Sequence, residues 1–382
     1  MIEVRGECQP RFKSVRDVFQ ASFANGEVGA GVAVTIDGEP VIDLWGGYAD
    51  AERSRPWERD TIANTYSTTK GVTATCAHRL VEEGRLDLDA PVAKYWPEFA
   101  QKGKDRIPVR YLLSHKAGLP AISRPLPDGA SNDWECMTSA LAEQEPWWEP
   151  GTKHGYHALT FGYLVGEVVR RVDGRTLGTY LREELAEPLG IDFHIGFGPE
   201  HDARCADMIA APESAQASAF RERLAQSDSV RARAFANPPR LFEDVNSREW
   251  RAAEIPAANG HGTAAALARL YGALARGGEL DGVHVLGPEA IERANTEQAF
   301  GKDEILAPLV TRFGLGFFMT HPAIPFGSNP RSFGHPGAGG SIGFADPDAK
   351  LGFGYVMNQM QTGLTGGAHG FALINASYEA LG

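Results

Sequence analysis

Residues 66–71 read Tyr-Ser-Thr-Thr-Lys-Gly, and after them Val72, Cys76, Leu80 and Val81 recur at helical spacing until Gly84. The pattern predicts an amphipathic helix over residues 67–83 with Ser67 in its first turn. Residues three apart on a helix share a face, so Lys70 can hold its amine beside the Ser67 hydroxyl. A serine hydroxyl is a weak nucleophile until a base takes its proton, and a lysine desolvated enough to be neutral is such a base. Free N–H groups and partial positive charge at the helix start also suit an oxyanion. Taken alone, Ser-x-x-Lys is a common tetrapeptide, and a serine at a helix start usually serves as a cap.

Working outward, residues 29–46 hold two β-rich runs joined at Asp37-Gly38, a strong hairpin signal. Strand patterns return late in the chain, in FGLGFFMT (313–320), SIGFADP (341–347) and KLGFGYVMN (350–358). Before them, Thr263 caps a helical run carrying Leu267, Leu270, Tyr271 and Leu274, which ends at Gly277-Gly278. The middle of the chain reads as mainly helical, with Phe161, Leu164, Val165 and Val168 ahead of a stop at Gly174. Residues 209–258, rich in Ala, Ser, Arg and Pro, suit helix plus a long surface loop placed to cover a site. The order strands, helices, strands predicts one α/β domain with an antiparallel sheet, built from 1–84 plus 256–382, and a mainly helical inserted domain over 85–255.

The 382 residues, 43% of them hydrophobic, are enough for a large core. A formal net charge of -12 with no Lys/Arg-rich run argues against nucleic acid as a partner. No stretch approaches the roughly 18 apolar residues of a membrane span. Glu3, Arg5 and Glu7 leave no room for an export signal near the start, so a cytoplasmic location is expected. Cys8, Cys76, Cys136 and Cys205 form no CxxC pair and read as reduced thiols. Only His154 and His157 lie close together among the 11 histidines, so no metal is implied, nor any other cofactor.

Several further stretches fall in a telling order. After Ser67-Thr68-Thr69-Lys70 come GRLDLDAPVAKYWPEF (84–99) and RYLLSHKAGLP (110–120), then Tyr156-His157-Ala158 before a helix, then His335-Pro336-Gly337 on a late strand. In these the chain resembles the serine β-lactamase and penicillin-binding-protein superfamily, and within it the class C β-lactamase-like esterases called family VIII carboxylesterases. The resemblance runs from about residue 14 to 375 and is weakest over 209–258. It implies a β-lactamase/transpeptidase-like fold of the α/β (α+β) class, an antiparallel sheet flanked by helices.

It also implies that Ser67 is the nucleophile of an acyl-enzyme and that Lys70 and Tyr156 share the base and acid roles, which of them acts first being open. His335 would stand beside the tyrosine and the leaving group, with Gly337 and His157 at the substrate. The N–H of Ala338 would face that of Ser67 across the oxyanion. His115 reads as a structural histidine at a turn. The family's Tyr-x-Asn is here Tyr156-His157-Ala158, without the amide that binds a lactam side chain, and His335 replaces the lysine that anchors a lactam carboxylate. The expected substrate is therefore a small ester with a short acyl group, and penicillin hydrolysis should be slow. Other outcomes of the same site are a β-lactamase, a D-amino-acid peptidase or amidase, or an acyltransferase. A binding protein without turnover is opposed by the complete Ser67, Lys70, Tyr156 set.

A second candidate, Gly339-Gly340-Ser341-Ile342-Gly343, matches G-x-S-x-G. That motif works at a strand-to-helix turn, whereas Ser341 is followed by a strand-turn-strand pattern. Its expected role is spacing a Gly-rich strand edge. Loops 120–150 and 209–258 should shape the pocket, with Trp134, Trp147, Trp148 and Trp250 either lining it or packed.

Overall fold

The Asp37-Gly38 signal is a tight hairpin: both residues have positive φ (50° and 86°) and join strands β2 (Gly29–Ile36) and β3 (Glu39–Gly47). The computed structural model describes residues 2–212, 227–241 and 243–382. Its other strands are β1 (Val4–Cys8), β4 (Ala63–Asn64), β5 (Phe193–Ile195), β6 (Gly260–Gly262), β7 (Glu279–Leu280), β8 (Val283–His284), β9 (Ala299–Lys302), β10 (Val310–Phe313), β11 (Phe318–Met319), β12 (Phe333–Pro336), β13 (Ile342–Asp346) and β14 (Leu351–Met357). Nine of them form one sheet in the order β1-β3-β2-β14-β13-β12-β11-β10-β9. Every pairing in it is antiparallel, and β2 lies against β14, so early and late parts of the chain meet at its centre.

The glycines of KLGFGYVMN explain how the sheet is covered. A Cβ on Gly352 would lie 2.2 Å from the Gly272 nitrogen, and one on Gly354 would lie 2.1 Å from the Ala264 oxygen. The helix Ala264–Ala275, capped by Thr263 accepting from the Ala266 N–H, thus presses its backbone onto β14. Alternation sends Tyr355 to the opposite face, where it meets Gly370 of the terminal helix Ala368–Leu381.

The helix after the serine runs Thr69–Glu82, with Thr68 as its N-cap. Ser67 therefore sits in the turn just before the helix rather than within its first turn. Nor is the helix amphipathic: Thr69 through His78 are all buried. Small side chains let it pass through the interior, where a Cβ on Gly71 would strike the Tyr271 hydroxyl at 2.1 Å. Beside it packs the helix Thr160–Asp173, ended by Gly174 at φ 97°.

Among the described residues of 85–255 are helices Val109–Leu113, Trp134–Glu143, Thr160–Asp173 and Leu177–Leu181, and one strand, β5. Strand β6 pairs with both β5 and β4, which ties this region to the segment carrying Ser67. A single apolar cluster runs from Val4 through Leu141 and Leu164 to Ala376. Of the Ala/Ser/Arg/Pro-rich stretch, residues 213–226 and 242 lie outside the described part; the rest contains the short helices Val230–Ala236 and Arg248–Ala252.

Candidate active site

The serine turn is built from hydroxyls. Thr65 donates to the Gly260 carbonyl through its N–H (2.7 Å) and its Oγ1 (2.9 Å), and Gly260 N–H returns a bond to Thr69 Oγ1 (2.8 Å). Tyr66 then takes φ 45°, a left-handed conformation costly for a side chain of this size. That reversal delivers Ser67 to the edge of a cavity while Lys70 N–H bonds back to the Ser67 carbonyl (3.0 Å).

Lys70 lies behind the serine, fully buried. Its Nζ is 3.1 Å from Ser67 Oγ, 2.7 Å from the Ala158 carbonyl and 2.8 Å from the Ala257 carbonyl. No carboxylate pairs with it among the described residues, and burial pushes its pKa well below the lysine range.

Tyr156 enters from the loop before Thr160–Asp173. Its N–H donates to both carboxylate oxygens of the buried Asp303 (3.0 and 3.2 Å), which also accepts from the N–H groups of Ile305 and Leu306 (2.8 Å each) and from Thr311 Oγ1 (3.2 Å). The phenol ring stacks on Phe313 at 6.3 Å and 6°, and lies 4.8 Å from Lys70 Nζ. Its Oη makes no hydrogen bond of normal geometry. Burial holds the phenol above its ordinary pKa; the Ser67 hydroxyl opposes that shift and the Asp303 charge adds to it.

His335, on β12, sits 6.0 Å from the Tyr156 ring, centroid to centroid. Its Nδ1 donates to the Pro336 carbonyl (2.7 Å), which leaves Nε2 as a buried lone pair with no partner among the described residues. Burial and then Lys70 push its pKa well down, so it stands as a neutral imidazole and not as the cation it replaces. The N–H groups of Ser67 and Ala338 are taken up by no backbone acceptor among the described residues, and both residues line the same cavity.

Two expectations need correction, and the alternative left open for the tryptophans falls to packing. His157 does not face substrate: its Nε2 accepts from Leu119 N–H (3.1 Å), its Nδ1 bonds the Gly155 carbonyl (2.7 Å), and it is fully buried with a pKa lowered to about 4. Gly337 packs behind the serine turn instead, where a Cβ would lie 2.3 Å from the Thr65 oxygen; its N–H goes to the Ser341 carbonyl (2.7 Å). None of the four tryptophans lines the cavity. Trp134 and Trp147 bond Glu167 and the Ala121 carbonyl, Trp250 is buried, and Trp148 covers Gly155.

His115 holds a turn at φ 59°, its Nδ1 accepting from His157 N–H (3.1 Å). Ser341, fully buried, donates to the Thr65 carbonyl (2.6 Å) and bonds Thr68 Oγ1 (3.0 Å), so it braces the serine turn.

The cavity in front of Ser67 is small, about 30 Å³, and is lined by Tyr66, Tyr156, Ala158, Leu159, Phe235, Leu241, Ala258, Ala338 and Leu364. That is room for about two water molecules, and among the described residues no charged side chain lines it. Sequence reasoning missed the apolar wall, the two carbonyls on Lys70 and Asp303. Only Asp303 left a local signal, an aspartate whose carboxylate caps the N–H groups two and three residues on. A far larger groove of about 690 Å³ lies between β2, β3 and Ala264–Ala275, away from Ser67, with Arg59 paired to Asp43 and Arg269 to Asp281. Among the described residues, no three His, Cys, Asp or Glu are grouped to hold a metal, and no helix is long and apolar enough to cross a membrane.

The Beta-lactamase family model matches residues 15–374. Among curated proteins, the chain is 39% identical over 370 residues to "Esterase/beta-lactamase LipL" of Mycobacterium tuberculosis, covering 94% of this chain and 83% of that one. Among solved structures, it superposes on a family VIII carboxylesterase with TM-score 0.92 at 44% identity, over 99% of this chain and 100% of the other. A penicillin-binding-protein homologue from Caulobacter crescentus gives TM-score 0.90 at 42% identity, over 99% and 100% of the two chains.

Proposed function

Because the chain belongs to the beta-lactamase family, we propose that it is a serine hydrolase that cleaves small, uncharged esters through an acyl-enzyme on Ser67. The observation that carries this reading is Lys70 Nζ at 3.1 Å from Ser67 Oγ, buried and with two carbonyls as its other partners.

A neutral amine donates its two N–H groups to Ala158 and Ala257 and keeps its lone pair for the serine proton. Ser67 Oγ then bonds the ester carbon, and the oxyanion is received between the N–H groups of Ser67 and Ala338. The carbon–oxygen bond to the leaving group breaks, Tyr156 gives that alkoxide its proton, and the Lys70 ammonium restores the phenol. Water repeats the sequence in reverse roles and releases the acid. Esters are favoured over lactams and amino-acid amides because, among the described residues, the cavity wall has neither a cation for a carboxylate nor a carboxylate for an amine.

Steady-state hydrolysis of p-nitrophenyl acetate and of nitrocefin tests it. Ser67→Ala abolishes ester cleavage, Ser341→Ala retains it within about tenfold because the brace is lost but not the nucleophile, and nitrocefin is turned over far more slowly than the ester. Full activity in Ser67→Ala, or nitrocefin as the preferred substrate, contradicts the reading.

A further inference from the structure

One short stretch supplies two of the apolar side chains that line the cavity. Phe235 and Leu241 both line it, on either side of Asn237. The helix Val230–Ala236 is capped by Ser229, whose hydroxyl accepts from Ala232 N–H (3.2 Å), and it buries Ala232 and Ala234 against the core. Phe235 remains half-buried at its end, its ring facing the space in front of Ser67.

Asn237 decides where that ring stands. Its side chain is buried and makes three hydrogen bonds to a single neighbouring strap: Oδ1 accepts from Leu126 N–H (3.0 Å), and Nδ2 donates to the carbonyls of Ile122 and Arg124 (2.8 Å each). An asparagine satisfied in this way fixes both position and orientation of the backbone beside it. The strap is held in turn from below. Ser123 bonds Gln144 Oε1 through its N–H (2.7 Å) and Oγ (2.8 Å), and Trp147 Nε1 bonds the Ala121 carbonyl (2.9 Å). The Phe235 wall is thus referenced to the helical region, whereas Ser67 and Ala338 are referenced to the sheet side.

We propose that Val230–Leu241 is an acyl-length gauge, in which Phe235 stops the acyl chain and Asn237 is the positioning residue that keeps Phe235 in place. The proposal rests on the reading that Ser67 carries the acyl group. An acyl chain bound to Ser67 meets an apolar wall, so each added methylene is welcome until it reaches the ring and is refused beyond it. Substrate class is then set by acyl length, with the alcohol portion left to the open side near Leu364, which is 37% exposed.

The test is the ratio of kcat/KM for p-nitrophenyl octanoate to that for p-nitrophenyl acetate, in wild type, Phe235→Ala, Asn237→Ala and Ser67→Ala. Phe235→Ala is expected to raise the ratio about tenfold or more, since one or two methylenes accommodated are worth that much. Asn237→Ala is expected to move it in the same direction while acetate hydrolysis persists, which a merely destabilised enzyme would not do. Should Asn237→Ala lose its fold, Phe235→Ala decides alone. A ratio within about twofold of wild type in the folded variants, with Ser67→Ala inactive, overturns the gauge and spares the nucleophile. Full hydrolysis by Ser67→Ala removes the premise, and the gauge falls with it.

Discussion

The amine of Lys70 stands 3.1 Å from the hydroxyl of Ser67, while its two shorter hydrogen bonds run to the carbonyls of Ala158 and Ala257. Burial holds its pKa well below 10.5, so in the proposed mechanism the amine serves as the base and the acid limb of kcat/KM is expected to belong to it. Activity falls as pH drops through that depressed value, because the ammonium has no lone pair for the serine proton. Lys70→Arg keeps a cation that cannot deprotonate and is expected to lose about 1,000-fold in kcat/KM. A pH–rate profile whose acid limb lies near 10, or an arginine variant close to wild type, contradicts this.

Stability should carry the same signature. In the unfolded chain Lys70 binds a proton at any pH below its ordinary value of 10.5, and in the folded chain it binds one only below its depressed value. Between the two, folding releases a proton, so unfolding free energy rises with pH across that window. Lys70→Met removes this contribution. Urea titrations of both proteins from neutral pH to about 10 are expected to show a smaller rise in the variant; an equal rise would mean that Lys70 stays charged in the folded protein.

Tyr156→Phe is expected to lower kcat by 100-fold or about that, with little change in KM or in unfolding midpoint. The phenol Oη has the Ser67 hydroxyl beside it and no other partner among the described residues, and the ring contacts to Phe313, Phe318 and His115 survive the change. Steady-state kinetics with a denaturation curve on the same preparation checks both halves. A large loss of stability would show that the hydroxyl has a structural partner.

Asp303 should couple stability to catalysis. Its buried carboxylate gathers the N–H groups of Tyr156, Ile305 and Leu306 and the Thr311 hydroxyl. Asp303→Ala strands these donors and is expected to cost about 3 kcal/mol. Asp303→Asn keeps part of the acceptor set and should fold better, yet still lower kcat more than it raises KM, because the Tyr156 backbone is no longer gripped by both oxygens. Equal kcat in Asp303→Asn and wild type would reduce Asp303 to a packing role.

Where the sequence was legible, a local rule sufficed. The Asp37-Gly38 hairpin, the stop at Gly174 and the Thr263 cap need no information beyond a few neighbours. Ser67 and Lys70 were readable for the same reason, being one turn apart. What escaped depends on distant backbone. The Ala257 carbonyl reaches Lys70 across 187 residues and Asp303 reaches Tyr156 across 147, and a carbonyl carries no side-chain signature. His157 misled because a histidine beside Tyr156 looks like a ligand group; its backbone partners at Leu119 and Gly155 appear only once the loop is folded. The tryptophans stayed undecided in the sequence because large aromatic rings fill cores as readily as pockets. Helix amphipathicity failed at Thr69–Glu82 because threonine, alanine and glycine pack on all sides of an interior helix.

A covalent bond on Ser67 is the step from which the catalytic predictions descend. Acid-quenched intact-mass spectra taken during turnover of p-nitrophenyl butyrate, followed by peptide mapping, test it most directly. One butyryl group per chain is expected, carried on the peptide that contains Ser67, with Tyr156→Phe altering how fast it builds up and Ser67→Ala carrying none. A butyryl group mapped to Ser341, or undiminished turnover in Ser67→Ala with no acylated peptide, would contradict it.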